Sequence, residues 1–253
     1  MEEDISLSVE DLKKGTAEFK RFMLMYNSAL KEIETKVKIL SDEFHTLYRY
    51  NPIEHIKTRI KSPESIIRKL EKKGVAITYQ NMAKYLDDVA GIRIICSFLQ
   101  DIYRIVDMFE KSSDLKIIQE KDYIKRPKPS GYSSYHLIVL VPVSFSSGDV
   151  NVKVEIQIRT IAQDFWASLE HKIKYKYENE VPKEISAELV ECATMINQLD
   201  KKMSYLGNGT VDELTESMKK DNITHETDNL RMIEKLKKIM ISSQNQTNGE
   251  PLN

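Results

Sequence analysis

The sequence predicts an α+β fold in which a mixed β-sheet is flanked by helices at the N- and C-terminal ends of the chain. Apolar residues recur at helical spacing over residues 8–48. Runs typical of β-strands follow in the middle of the chain, at residues 89–98, 115–119, 137–145 and 150–159. Helical patterns then return from Thr160 onward, so the sheet lies between two helical parts of the sequence.

The elements before the first predicted strand are mostly helical. The first helix carries an apolar stripe made of Phe19, Phe22, Met23, Tyr26, Leu30, Ile33, Val37, Leu40 and Phe44. Residues 49–61 form a connection, in which IEHIKTRI is a candidate short helix. SPESIIRKLEKKG predicts a helix, because Ser62 suits its N-cap, Pro63 its first turn and Gly74 its C-terminal end. A further short helix is predicted at residues 79–86.

The predicted strands differ in pattern. VAGIRIICSF is rich in β-branched residues, which is typical of a buried strand, and a helix at 101–111 follows it. The turn SSGD joins the last two strands as a hairpin. The strand 150–159 alternates strictly, with one face made of Val150, Val152, Val154, Ile156 and Ile158 and the other of Asn151, Lys153, Glu155, Gln157 and Arg159. Because a helix begins directly after it, we expect this strand to lie inside the sheet.

The C-terminal part begins with a well-marked helix. Thr160 and Gln163 fit a capping box. An apolar i, i+4 stripe follows at Ile161, Phe165, Leu169 and Ile173. Another helix is predicted over residues 183–205.

Two units are predicted along the chain. Residues 1–206 contain the sheet and the helices around it. Glycines interrupt the chain at positions 207 and 209. Residues 207–253 are therefore predicted to be a tail, with one helix near 228–241 and a disordered polar end.

The composition excludes several classes of protein. The net charge is −1 over 253 residues, so there is no global basic field of the kind that general nucleic-acid binders show. The two cysteines, Cys96 and Cys192, provide neither a disulfide framework nor a zinc pattern. The N-terminus lacks the basic-then-apolar order of a signal peptide, and no apolar run is long enough to span a bilayer. We therefore expect a cytoplasmic protein with no membrane partner.

Carboxylates occur at two places where they could act as a general base or bind a metal ion. Glu155 and Gln157 are neighbours on the polar face of strand 150–159, where they can present a base and an amide together. Cross-strand charge pairing on a solvated face is the alternative explanation. Asp87 and Asp88 directly precede strand 89–98, and together with a glutamate on a neighbouring strand they predict a magnesium site. Acidic residues in an ordinary turn are the alternative there.

Basic residues cluster locally despite the near-neutral chain. Residues 57–73 contain seven Lys or Arg against two Glu, around the start of a predicted helix, and helix N-termini attract phosphate. A solvated basic helix face is the alternative. A second cluster lies just before the stretch KPSGYSSYH and consists of Lys121, Lys125, Arg126 and Lys128.

KPSGYSSYH combines turn-forming and aromatic residues at the entrance to a buried strand. Tyr132 can stack on a nucleobase, although it and Tyr135 can equally be packing residues, and His136 can be an ordinary core histidine. There is no GxxxxGK[ST] and no GxGxxG in the sequence. Two carboxylates, two basic clusters and an aromatic loop together suggest magnesium-dependent transfer of a phosphate-containing group between nucleotides.

Four stretches resemble the synthetase domain of the RelA/SpoT family, and most closely its small single-domain alarmone synthetases of the RelQ type. They are RIKSPESIIRKL, LDDVAGIRIICSF, KDYIKRPKPSGYSSYHLIVLVP and VEIQIRTIAQDFWASLEHKIKYKY, and they cover roughly residues 50–180. The resemblance implies a mixed sheet of nucleotidyltransferase-like type. It also implies transfer of pyrophosphate from ATP to the 3′-hydroxyl of GTP or GDP, with GMP as a third candidate acceptor, to give (p)ppGpp and AMP.

The resemblance also assigns roles to individual residues. Asp88 would bind Mg²⁺, and Glu155 would assist the metal and deprotonate the 3′-hydroxyl. The positions that match ATP contacts are Arg59, Lys61, Ser65, Lys69, Arg93 and Lys121. The positions that match contacts to the acceptor guanosine nucleotide are Lys128, Tyr132, His136 and Gln157, with Tyr132 stacking on guanine. The sequence departs from the family pattern at Ser133, where relatives often carry Arg.

Synthesis without hydrolysis is expected, because none of the five histidines is followed by Asp and the chain is short for a second catalytic domain. The alternatives are a catalytically inactive nucleotide- or RNA-binding regulator on the same fold and a different nucleotidyltransferase. The resemblance further implies a homotetramer formed through terminal helices. An alarmone effector and single-stranded RNA are further candidate partners.

Overall fold

A mixed sheet of five strands forms the centre of the computed structural model, which describes residues 17–48, 50–177 and 180–207. The strands are Ile53–Ile60 (β1), Ala90–Cys96 (β2), Lys116–Asp122 (β3), Tyr135–Phe145 (β4) and Gly148–Thr160 (β5). The helices in these parts of the chain are Ala17–Leu47 (α1), Pro63–Lys72 (α2), Tyr79–Tyr85 (α3), Leu99–Glu110 (α4), Ile161–Lys176 (α5) and 183–207 (α6).

The sheet has the spatial order β1-β2-β5-β4-β3, with β5 at its centre. β5 pairs in parallel with β2 and antiparallel with β4, while β1 and β3 pair antiparallel with β2 and β4. The predicted α+β fold with a mixed sheet is therefore confirmed. The prediction that strand 150–159 is interior is also confirmed.

The segment IEHIKTRI is a strand, so the candidate short helix there is wrong. Its isoleucines at 53, 56 and 60 are spaced as on one face of a helix, which made the local pattern misleading. The segment instead completes the open edge of β2, with Ile56 opposite Ile94 and Arg59 opposite Gly91. Hydrogen bonding to an existing strand outweighs a weak local helical preference, because that preference amounts to only a few tenths of a kcal/mol per residue.

The core lies on the face of the sheet that α1 covers. Apolar side chains of β2, β4 and β5 alternate toward this face and are fully buried, as at Ile92, Val139 and Ile156. Helix α4 contributes to the same core. Its buried apolar residues are Ile102, Ile105, Val106 and Phe109. The predicted stripe of the first helix is buried here, except that Met23 and Leu40 are only partly buried.

Helix α5 begins as predicted, with Thr160 as N-cap and Gln163 completing the capping box. Its apolar stripe faces outward, however. Ile161, Phe165 and Leu169 are exposed, while the side chains turned to the rest of the chain include Asp164 and Trp166. This side of the helix faces charged side chains of the sheet, with which Asp164 forms ion pairs.

Helix α6 lies beside α5. The Trp166 indole donates a hydrogen bond to the Leu189 carbonyl at 2.9 Å, and the Ser204 hydroxyl accepts one from the backbone N–H of Leu99 at 3.0 Å. Apolar side chains on its outer side are exposed at Met195, Leu199, Met203, Tyr205 and Leu206. Within the described residues, no helix combines the length and the apolarity needed to cross a bilayer. The predicted tail lies outside the described residues from position 208 onward, including the helix predicted near 228–241.

Candidate active site

The face of the sheet opposite α1 carries polar side chains in one continuous row. The strand register aligns one residue from each strand, in the order Lys57, Arg93, Gln157, His136 and Lys121. These residues come from distant parts of the sequence, yet they share a face because registered partners in a sheet point the same way. Four of the five were predicted as site residues individually, and Lys57 was predicted only as a member of the basic cluster at residues 57–73.

A second row lies beside the first and contains Arg59, Gly91 and Glu155. Gly91 has no side chain, and a cavity of about 100 Å³ lies over this position. Its lining includes Arg59, Arg93, Glu155 and Gln157. Two guanidinium groups and one carboxylate thus surround a space between β1, β2 and β5.

A larger cavity of about 380 Å³ extends from the same arginines toward α5. Tyr132 and Gln157 line its sheet side, and Glu170 and His171 line its helix side. Glu170 and His171 were not predicted as site residues. Their only sequence signal is that both lie in EHKIKYK, within one of the stretches that resemble the RelA/SpoT family.

Asp88 lies between two lysines at the end of the loop before β2. Lys61 Nζ is 2.8 Å from its Oδ2, and Lys69 Nζ is 2.7 Å from its Oδ1. Burial raises the pKa of Asp88, but the hydrogen bonds and charges of the two lysines outweigh it, so the net pKa lies below the ordinary value. Asp88 is thus ionised at neutral pH, and the two lysines meet at a single anion.

Glu155 is held by two neighbours on the sheet. His136 Nδ1 lies 3.2 Å from its Oε1, and the Gln157 side-chain amide donates to its Oε2 at 2.9 Å. Burial and the nearby charge of Asp88 raise the pKa of Glu155, whereas His136 and Gln157 lower it, and the net pKa lies below the ordinary value. Glu155 is therefore a fixed, ionised carboxylate.

Tyr132 completes a closed ring of hydrogen-bonded side chains, of which Glu155 is a member. Its hydroxyl lies 2.8 Å from His136 Nε2 and accepts a hydrogen bond from Arg159. Arg159 in turn donates to Gln157 Oε1 at 3.0 Å, and Gln157 donates to Glu155. The aromatic ring of Tyr132 is thus connected through side chains to the candidate base.

The loop before β4 also carries a cation. Lys128 Nζ lies 4.8 Å from the centre of the Tyr132 ring and 4.6 Å from that of Tyr123. Burial lowers the pKa of Lys128, and the charge of Lys121 lowers it further. Tyr123, which was not predicted as a site residue, packs edge-on against both Tyr132 and His136.

Gly131 gives this loop its shape and its close approach to α6. Its φ of +85° lies in the region that glycine tolerates best. A Cβ at this position would lie 2.4 Å from Ala193 Cβ on α6. The loop that carries Lys128 and Tyr132 therefore contacts α6 directly.

Most of the predicted site residues are brought together on this face. Ser65 lies in the first turn of α2, where its backbone N–H donates to the Ser62 hydroxyl at 3.3 Å. Arg159 lines the larger cavity and was not predicted as a site residue. Arg159 had a signal in the sequence, since it belongs to the alternating polar face of the strand that carries Glu155.

The chain is similar in sequence to known proteins. Residues 58–180 match the region found in RelA/SpoT proteins. The chain is 49% identical over 201 residues to the GTP pyrophosphokinase YwaC of Bacillus subtilis, a match that covers 79% of this chain and 96% of that protein.

Two solved structures from Bacillus subtilis are similar in fold as well as sequence. The small alarmone synthetase 2 superposes with a TM-score of 0.70 at 47% identity, over 76% of this chain and 99% of that one. The small alarmone synthetase 1 bound to its product pppGpp superposes with a TM-score of 0.72 at 34% identity, over 76% of this chain and 97% of that one. The chain therefore belongs to the RelA/SpoT family.

Proposed function

We propose that the protein is a GTP pyrophosphokinase that transfers pyrophosphate from ATP to the 3′-hydroxyl of GTP or GDP, giving (p)ppGpp and AMP. The observation that carries this proposal is the position of Glu155. Its carboxylate lines the same cavity as Arg59 and Arg93. On the other side, hydrogen bonds connect it through His136 to Tyr132. One ionised base thus lies between a cationic cavity and an aromatic loop, as a transfer between two nucleotides requires.

The ATP side of the proposed site is the cationic half of the sheet face. Arg59 and Arg93 border the same cavities, so an adenine ring and phosphates have guanidinium partners there. Lys61 and Lys69 meet at Asp88 nearby. We assign ATP binding to these residues together with Ser65 and Lys121, on the basis of the family motifs that they match.

The acceptor side is the loop around Tyr132. Its ring is flanked by Lys128 and Arg159 and faces a cavity of about 380 Å³. A guanine base stacked on such a ring gains on the order of 1–3 kcal/mol. We assign guanosine nucleotide binding to Lys128, Tyr132, His136 and Gln157, and Lys128 offers its charge to the phosphates.

The proposed reaction forms one bond and breaks one. The 3′-oxygen of the acceptor attacks the β-phosphorus of ATP, the bond from that phosphorus to the α-phosphate oxygen breaks, and AMP leaves. Glu155 takes the proton of the 3′-hydroxyl. Arg59, Arg93 and the two lysines at Asp88 balance the negative charge on the transferring group, because preformed cations cost no reorganisation during the reaction.

Magnesium fits this centre through Asp88 and Glu155. Asp88 lies three residues before Gly91, which is registered opposite Glu155, and both carboxylates have a net pKa below the ordinary value. Magnesium commonly takes one or two carboxylates together with phosphate oxygens and water, so these two residues are the ones that would hold it. When bound, Mg²⁺ would neutralise charge on the phosphates.

Self-association through the C-terminal helices is part of the proposal. Apolar side chains that a second copy can cover are exposed on both α5 and α6, and they include Ile161, Phe165, Met195, Leu199 and Met203. A homotetramer remains our expectation for the protein in the cytoplasm. An alarmone effector and single-stranded RNA remain candidate partners.

We expect label transfer when the protein is incubated with γ-labelled ATP, Mg²⁺ and GTP, GDP or GMP in separate reactions. Chromatography should show label on the guanosine nucleotide together with an equal amount of AMP. Transfer to none of the three acceptors would contradict the proposal. It would instead favour the inactive nucleotide- or RNA-binding regulator on the same fold.

Replacing Gly131 by alanine is expected to weaken acceptor binding more than ATP binding. The new Cβ would meet Ala193 at 2.4 Å, so the loop that carries Lys128 and Tyr132 has to shift. Overpacking of this kind costs about 1–3 kcal/mol. Steady-state kinetics should show a higher KM for GDP with a nearly unchanged KM for ATP.

Two further variants distinguish the steric clash with Ala193 from the strain of placing a side chain at a positive φ. Gly74→Ala introduces a Cβ at a φ of +67° with no atom within 4 Å, so it should lower stability without changing either KM. Gly131→Ala combined with Ala193→Gly removes the colliding methyl group and should recover part of the GDP affinity. Equal KM changes for ATP and GDP in Gly131→Ala would contradict a role of the loop in the acceptor subsite.

A further inference from the structure

A buried carboxylate lies where the two halves of the proposed site meet. Asp164 is in the first turn of α5 and is 8% exposed. Its Oδ1 accepts from Arg93 at 2.9 Å and lies 3.4 Å from Arg159, and its Oδ2 accepts from Lys57 at 3.2 Å. Cations from β2, β5 and β1 thus converge on one side chain of a helix.

The two arginines depend on this anion because they repel each other. Burial and the charge of Arg159 lower the pKa of Arg93, while the charge of Asp164 raises it. The Arg159 side chain is only 4% exposed, and a buried charge is unfavourable unless it is paired. Within the described residues, Asp164 is the carboxylate that pairs with both guanidinium groups. Lys57 depends less on Asp164 as a partner, since 58% of its side chain is exposed to solvent.

Both arginines line the larger cavity, but each also reaches a different part of the proposed site. Arg93 in addition lines the smaller cavity beside Arg59, on the ATP side. Arg159 donates to the Tyr132 hydroxyl and to Gln157 Oε1, both on the acceptor side. A single carboxylate is therefore connected to both subsites by one ion pair each.

We propose that Asp164 is a positioning residue that sets the geometry of the ATP and acceptor subsites together, by holding Arg93 and Arg159 in place. This inference rests on the proposed function. Asp164 acts through the two guanidinium groups, so it is not a catalytic residue. When its charge is removed, both guanidinium groups lose their shared partner, and the affinities for both nucleotides fall together. A residue that serves only one subsite would change only one affinity.

The test compares Asp164→Asn with the wild-type protein in two measurements. Steady-state kinetics give KM for ATP and for GDP. Calorimetric titration gives Kd for GDP and for a non-hydrolysable ATP analogue, each added alone. We expect all four constants to rise on the order of tenfold to a hundredfold, the range associated with one charge-assisted hydrogen bond. The matched control is Asp114→Asn, which removes the surface ion pair with Lys36 and should leave all four unchanged.

Asp164→Glu separates positioning from general stability. It keeps the charge but moves the carboxylate by one methylene, so both affinities should fall by only a few-fold. This variant also provides the test if Asp164→Asn does not fold, and wild-type values for both nucleotides would then overturn the inference. A rise confined to one nucleotide, or a lower melting temperature with unchanged constants in Asp164→Asn, would also overturn it. Absence of transfer in the wild-type protein would contradict the proposed function, while the calorimetric constants would still test Asp164.

Discussion

Glu155→Gln is expected to reduce the rate of pyrophosphate transfer by about 10²–10⁴-fold, the contribution of a positioned general base. Glutamine has nearly the same shape and can keep one of the two accepted hydrogen bonds, from His136 or from Gln157, but it cannot accept the proton of the 3′-hydroxyl. The loss should therefore appear in kcat, with ATP binding largely preserved. Single-turnover transfer from γ-labelled ATP to GDP, together with a binding titration for ATP, measures both quantities.

A matched control is Glu188→Gln, which neutralises an exposed carboxylate on α6 and should leave transfer unchanged. Wild-type turnover in Glu155→Gln would refute the assignment of this residue as the base. If kcat fell only because ATP no longer bound, the role of Glu155 would be substrate binding and not proton transfer.

Asp88→Asn is expected to lower transfer at least about a hundredfold, on the scale of losing one preorganised electrostatic group. The variant removes a proposed magnesium ligand and leaves Lys61 and Lys69 without the anion on which they meet. Both lysines remain available to phosphate, so ATP affinity should fall less than kcat. The initial rate measured against Mg²⁺ concentration should show that half-maximal activity requires more metal.

The neighbouring Asp87 provides the control for position. It has the same side chain one residue earlier, but it pairs with Lys153 at 3.0 Å and is 40% exposed. Asp87→Asn should therefore keep the wild-type rate and magnesium dependence. An unchanged magnesium dependence in Asp88→Asn, or an equal loss in both variants, would contradict Asp88 as the specific ligand.

Ser133 illustrates how the structure changes the meaning of a sequence difference. The resemblance to the RelA/SpoT family predicts Arg at this position. Ser133 is buried, and its hydroxyl accepts a hydrogen bond from the Gln163 amide at 3.3 Å. Its side chain therefore connects the loop to the start of α5. Beside Tyr132, the cations are Lys128 and Arg159.

Elements with strong local signals were predictable from the sequence. The caps at Ser62 and Thr160 define helix starts, and strict alternation in β5 separates its buried and polar faces. Such signals act over a few residues, so they do not depend on the rest of the fold. β1 was not predictable in this way, because its apolar residues fit a helix and only pairing with β2 makes it a strand.

The sequence by itself determined the family motifs, the central strand and the chemical types of the site residues, because these depend on local pattern. Only the tertiary structure decided which of these residues meet. The register across the sheet aligns Arg93, Gln157 and His136, although they are far apart in the chain. The tertiary structure also decided that Asp164, an unremarked acid in the first turn of a helix, pairs with Arg93 and Arg159. Buried charges require partners wherever the fold brings them, and sequence spacing does not contain that information.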